Sequence, residues 1–155
     1  MSNFSGCPGS QAMNFGDKPG KGDESGVRPS QLRQWPVQLH LVSPEAPYFQ
    51  EADVLLSADC VAYAMGDFHK EHLKGKSLAI ACPKLDSNLD VYIEKIAALI
   101  DSAQINTLTV MVMQVPCCSG LVQIAQRALE QAERKVPVKV MVVSLEGEIL
   151  KDQWL

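Results

Sequence analysis

The chain has no run of lysine or arginine and a net charge of only −4. That excludes the basic footprint of a nucleic-acid binder and of a protein held on an anionic membrane. It also lacks any apolar run of bilayer length. The longest, Leu108–Met113 and Val138–Val143, are strand-sized. Residues Met1 to Gly9 are small and polar, without the apolar core of a secretory signal. The expected compartment is therefore the cytoplasm, with neither nucleic acid nor membrane as partner. No repeat at solenoid spacing occurs, and no compact Cys-x-x-Cys motif.

What is present suits one globular domain: 155 residues, 46% of them hydrophobic. Residues 1–30 form a cysteine-bearing arm and a flexible linker, because Gly16 to Gly26 is polar and glycine-rich. Its Gly-Lys-Gly has no strand before it and no helix after it, so a phosphate loop is not expected. From Trp35 onward, strand-sized apolar runs alternate with helical periodicity. The strands expected are Val37–Val42, Val54–Ser57, Ser77–Ala81, Leu108–Met113 and Val138–Val143. Between them stand a short helix starting at Pro47, a helix over Ala62–Leu73 closed by Gly75, and a helix over Asn88–Ala103. The last of these repeats apolar residues at Tyr92, Ile93, Ile96, Leu99 and Ile100. A further stripe, Leu121, Ile124, Ala125, Ala128, Leu129 and Ala132, ends at Pro137. Glu146-Gly147-Glu148 reads as a turn before the tail.

Such alternation implies an α/β fold, a doubly wound and mostly parallel sheet of about five strands with helices on both faces. The layout is Rossmann-like or flavodoxin-like. Where a glycine-rich dinucleotide turn would follow the first strand, Ser43-Pro44-Glu45-Ala46-Pro47 stands instead. The fold class alone therefore does not bring a nicotinamide cofactor.

Five cysteines remain to be explained. An odd number in a reducing compartment argues against a disulfide framework. Cys60 follows the second expected strand, Cys82 the third, and Cys117 and Cys118 the fourth. In a parallel sheet these ends share the carboxyl edge, where such folds hold ligands. Adjacent strands lie about 4.8 Å apart, so thiols at neighbouring ends can converge on one centre. Cys7 sits on the arm with reach to the same edge. Taken singly, Cys60 or Cys82 fits a plain buried cysteine; taken together, the set points to an iron–sulfur or other metal site. Asp59, His69, Pro83, Lys84 and Gly120 are candidates for a supporting shell. Of these, Asp59 also fits a helix cap, and Lys84 a local pair with Asp86. Asp86 also fits a cap for the helix carrying Tyr92.

Other chemistries compete for the same residues. His69 and His72 share a helix face and with the thiols suggest zinc, although Lys70, Glu71 and Lys74 mark that face as solvated. Cys118 ahead of a helix resembles a low-pKa nucleophile, and Cys117–Cys118 a thiol switch, but no histidine base stands beside them. A docking module of a larger redox complex, without chemistry of its own, is the third class.

The motifs as a set are Cys7-Pro8-Gly9-Ser10, Ser30 to Leu39, Ala58-Asp59-Cys60-Val61-Ala62-Tyr63-Ala64 with Asp67-Phe68-His69, Cys82-Pro83-Lys84-Leu85-Asp86, and Val115 to Leu121. On these residues the chain resembles the C-terminal cysteine-rich α/β domain of ferredoxin-type 4Fe-4S proteins of anaerobic bacteria and archaea. The ferredoxin module of that family, with its Cys-x-x-Cys runs, is absent here. The resemblance thus implies only the second, cysteine-lined site. It implies a 4Fe-4S cluster on Cys7, Cys60, Cys82 and one or both of Cys117 and Cys118. The implied role is electron transfer or redox sensing with a partner redox protein, rather than an enzyme in its own right. An anaerobic host follows from the resemblance only, and a homo-oligomer stays open.

Overall fold

The computed structural model describes residues 26–116 and 119–155. Five strands form one sheet: β1 (Asp53–Ala58), β2 (Ser77–Ala81), β3 (Thr107–Met113), β4 (Val138–Val143) and β5 (Ile149–Trp154). Helices α1 (Val61–Ala64), α2 (Leu89–Asp101) and α3 (Ser119–Gln131) lie in the three crossovers. The strand order is β2-β1-β3-β4-β5, parallel except for β5, which returns antiparallel on β4. The doubly wound α/β class read from the sequence is the observed one.

The four parallel strands form because each is a short, β-branched or aliphatic run buried on both sides. Their register places Val54, Leu56, Leu108, Val110, Val138 and Val140 on one face and Leu55, Ser57, Thr109, Met111 and Met141 on the other. Helix α3 covers the first face, where Val122 meets Val112 and Val140, and α2 packs on α3. Helix α2 buries Tyr92, Ile93, Ile96, Leu99 and Ile100, the five residues of its sequence stripe. These side chains and the strands make one continuous core.

The second face is covered differently. The expected helix over Ala62–Leu73 is broken: α1 stops at Ala64, Met65 is extended, and a single π-helical turn occupies His69–Leu73. Gly66 and Asp67 fall at the break, where glycine removes helix propensity. The expected strand Val37–Val42 is also absent as a strand. It shrinks to one bridge, Gln38 to Ile80, because the chain turns back at once, with the N–H groups of Leu41 and Val42 both donating to the Gln38 carbonyl at 2.8 and 3.0 Å. Lys95 locks that turn by donating to the carbonyls of Leu39, His40 and Val42 at 2.9, 2.7 and 2.9 Å. The fifth strand is instead β5, whose residues are exposed along their whole length.

The outer edge of β2 is protected by the preceding segment rather than left open. The Gln34 side-chain amide pairs with the backbone of Leu78. Next to it, Leu39 N–H donates to Ile80 O and Ile80 N–H to Val37 O, each at 2.8 Å. Residues 28–37 thus form a strap across the β2 side of the sheet.

Asp101, at the end of α2, receives the backbone N–H groups of Glu133 and Arg134, just beyond α3, at 3.1 and 2.9 Å. These bonds hold its carboxyl below the usual range. A depressed carboxyl pKa contributes stability above the unfolded-state value, about 4, and that contribution disappears as pH falls through the lowered folded value. Asp101→Asn is therefore expected to flatten the acid limb of a stability–pH curve measured by urea unfolding, with little change in its slope near neutrality.

Candidate functional site at the carboxyl edge

The chain steps from β1 outward to β2, then back past β1 to β3. The direction of winding reverses there, so the crevice outside the carboxyl ends of β1 and β3 is the switch point where open α/β sheets bind ligands. Strands β2, β1 and β3 are consecutive neighbours, and each is followed by cysteine: Cys82, Cys60, and Cys117 with Cys118. The register pairs Ala58 with Ala81, so Cys60 and Cys82 leave the sheet at nearly the same level. Both are free thiols, Cys60 exposed and Cys82 half-buried. Partial burial, then the charges of Cys82 and Asp59, push the Cys60 thiol above its ordinary value. Cys7, Cys117 and Cys118 lie outside the described residues, and among the described residues no three metal-ligating side chains converge on one point.

Asp86 organises the Cys82 loop. Its Oδ2 accepts the Cys82 backbone N–H at 2.9 Å and the Tyr92 hydroxyl. Burial and this bond to Asp86 raise the Tyr92 hydroxyl's pKa well above its ordinary value. The loop is thereby tied to α2, and His40 stacks on Tyr92 at 4.2 Å between ring centres. Asp86 is not the helix cap that its position suggests: Asn88 occupies that place and makes no side-chain cap bond. The sequence stripe placed Tyr92 in the core, and its ring is fully buried. The signal for a second role was its hydroxyl, since a tyrosine in an apolar stripe needs a polar partner. Tyr92→Phe is expected to cost about 1–2 kcal/mol, measured by denaturant unfolding. It should also speed amide exchange at Cys82.

The remaining candidates fall as follows. Asp59 does not cap α1; Cys60 holds the cap position without a side-chain bond. Asp59 Oδ1 is buried with no hydrogen-bond partner among the described residues. Burial, then the charge of Asp86, pushes its carboxyl up. His69 Nδ1 accepts the Gln31 N–H at 3.0 Å, so this imidazole fastens the strap. Its neighbour His72 has a buried Nε2 without a hydrogen bond among the described residues and packs beneath the sheet with Leu55 and Met111, away from the cysteine edge. Lys84 is exposed. Pro83 and Gly120 touch: a Cβ at Gly120 would lie 3.2 Å from the Pro83 Cβ. The start of α3 therefore packs on the residue after Cys82, and the Ser119 hydroxyl donates to Pro116 O at 2.7 Å across the Cys117–Cys118 pair.

This placement can be compared with known proteins. A family model of a Rossmann-like domain matches residues 46–155. The chain belongs to that Rossmann-like family. The match agrees with the observed α/β fold, and it overturns the sequence resemblance to ferredoxin-type 4Fe-4S proteins: the matched family is a different one, and no ferredoxin-type cysteine-rich domain emerges. Apart from that of Cys7, the cysteine-bearing segments among the motifs quoted for that resemblance follow strands in sequence, where a Rossmann-like sheet with cysteines at its carboxyl edge carries them too. The chain is also 26% identical over 119 residues, 77% of its length, to a protein from Archaeoglobus fulgidus named only as uncharacterized, of which it covers 83%. No solved structure matches. No helix among the described residues is long and apolar enough to cross a membrane.

Proposed function

We propose that the carboxyl edge of β2-β1-β3 holds an iron–sulfur cluster of the 4Fe-4S type on cysteine thiolates and that the protein passes electrons to, or senses the redox state of, a partner. The observation that carries this reading is the adjacency, at the switch point, of the three strands that cysteines follow in sequence. Cys60 and Cys82 supply two ligands, and Cys7, Cys117 and Cys118 are the candidates for the others. Thiolate donors suit iron and sulfide, and four suffice for a cubane. When bound, such a cluster supplies one-electron chemistry. The chain's own part is to fix the ligands: Asp86 and Tyr92 hold the Cys82 loop, and Gly120 lets α3 close against Pro83. Tyr63 and Leu85, 94% and 84% exposed, stand beside Cys60 and Cys82 in sequence and offer apolar contact to a partner.

Zinc on the same thiols is the second reading, because thiolate is equally its ligand. Thiol alkylation read by mass spectrometry tests both. In protein purified without oxygen, Cys60, Cys82 and the other ligating cysteines should resist iodoacetamide together and become reactive together once the metal is chelated. Equal labelling of Cys60 before and after chelation would contradict metal ligation at this edge.

A further inference from the structure

We infer that the cavity between β1, the broken helix and the strap binds a small, largely apolar molecule that presents one hydrogen-bond donor, a hydroxyl or an amine, to Asp59. The inference stands whether or not the cysteine edge holds iron.

The cavity exists because the crossover helix fails. A continuous helix over residues 62–73 would lie along the sheet; instead the chain leaves it at Met65 and re-enters as one π-helical turn. Single π-helical turns recur at functional sites. The space left has a volume of about 620 Å³, within the roughly 300–1,000 Å³ of small-molecule sites. Its walls are the buried side chains of Met65, Phe68, Leu73 and Leu78, with Leu32 and Val37 from the strap. The contacts that hold the strap beside it include Arg28 Nε to Asp67 Oδ1 at 2.8 Å and Gln31 N–H to His69 Nδ1 at 3.0 Å.

Of the polar side chains that border the cavity, among them Arg28, Ser30, Ser57, Asp67, His69 and Lys70, Asp59 selects the ligand, because its Oδ1 is buried without a hydrogen-bond partner among the described residues. A buried acceptor left unsatisfied is costly, and a donor brought by a ligand removes that cost. The buried apolar walls together with this unpartnered oxygen therefore favour an apolar body with a donor at one end.

The test uses 2-naphthol and 2-methoxynaphthalene, near-identical in shape, of which only the first can donate. Binding to the full chain is followed by amide chemical shifts at Met65, Phe68 and Leu73. 2-Naphthol should bind there, at least about tenfold more tightly than its methyl ether, the factor expected of one hydrogen bond. Ala62→Phe, placed on the exposed side of α1 bordering the cavity, should weaken 2-naphthol about tenfold or more while leaving the fold and metal content unchanged. Asp59→Leu should erase the difference between the two probes. Equal affinity of the probes, no shifts at the cavity residues, or no effect of Ala62→Phe would overturn the inference. So would contacts from the chain's own first 25 residues to Phe68 and Leu73 in place of the probe.

Discussion

Cys60→Ser is expected to abolish bound iron, labile sulfide and visible absorption while leaving the metal-free protein as stable as the parent. The two halves of this expectation rest on different observations. Cys60 is exposed at the end of β1 and makes no disulfide, so its replacement by serine removes little packing. Changes at such surface positions stay within about 0.5 kcal/mol. In the metal-loaded protein the same change removes a ligand, and with it the stabilisation that binding contributes to the folded state alone. The melting temperature of the loaded parent should therefore exceed that of Cys60→Ser, and chelation should erase the gap. Cys82→Ser should behave alike, with a somewhat larger effect on the metal-free protein because Cys82 is half-buried. A thiol enzyme would respond otherwise: only Cys117 or Cys118 replacement would silence it. If both serine variants kept their metal, the carboxyl edge would not be its site.

The largest effect on folding is expected far from any cysteine, at Gly147→Ala. Gly147 turns the β4–β5 hairpin with φ +89°, a left-handed conformation that costs a residue with a side chain roughly 1–3 kcal/mol. The turn is closed by Gly147 N–H to Ser144 O at 2.9 Å and Ser144 N–H to Glu148 O at 2.7 Å. The Ser144 hydroxyl also accepts from Glu148 N–H at 3.0 Å. A Cβ at Gly147 would collide with the Ala64 carbonyl oxygen and lie 3.3 Å from its carbon. Backbone cannot give way as a flexible side chain can. Strain and overpacking together should cost about 3 kcal/mol. Thermal unfolding should begin roughly 6–12 °C lower. An unchanged melting temperature would mean that the hairpin does not rest on the end of α1.

These expectations also show which parts of the molecule were legible from its residues. The four parallel strands were, because each is a short apolar run that must be buried on both faces. Helices α2 and α3 were, because their stripes leave no other face to bury. Strand β5 was not: Ile149-Leu150-Lys151-Asp152-Gln153-Trp154 has no alternation to read, since it is exposed on both faces and is held by backbone pairing with β4. Val37–Val42 misled in the opposite sense. It is apolar enough for a strand, but Lys95 gathers its carbonyls from a distance of more than fifty residues in sequence. No local pattern contains that contact.

The helix over residues 62–73 was read as continuous because its composition favours helix on either side of Gly66. What adds to the glycine at the break is tertiary: Asp67 is held by Arg28, and His69 by the Gln31 backbone, so the strap takes the helix's surface. At the site, the sharing of one edge by Cys60 and Cys82 followed from strand–helix alternation. The sequence order of strands did not reveal that β1 sits between β2 and β3, which makes the ends of these three strands contiguous. The Asp86–Tyr92 brace was hidden because it joins a loop residue to a core position whose ring explained its presence fully. The family assignment was misread for a related reason: cysteines at strand ends are a property of the edge, and they do not distinguish one Rossmann-like lineage from a ferredoxin-type domain.

The most direct test of the account is the amount of iron, acid-labile sulfide and zinc per chain in the wild-type protein purified without oxygen. The account predicts about four irons and four sulfides, with broad visible absorption that bleaches on reduction. A well-folded anaerobic sample holding neither iron nor sulfide would contradict it.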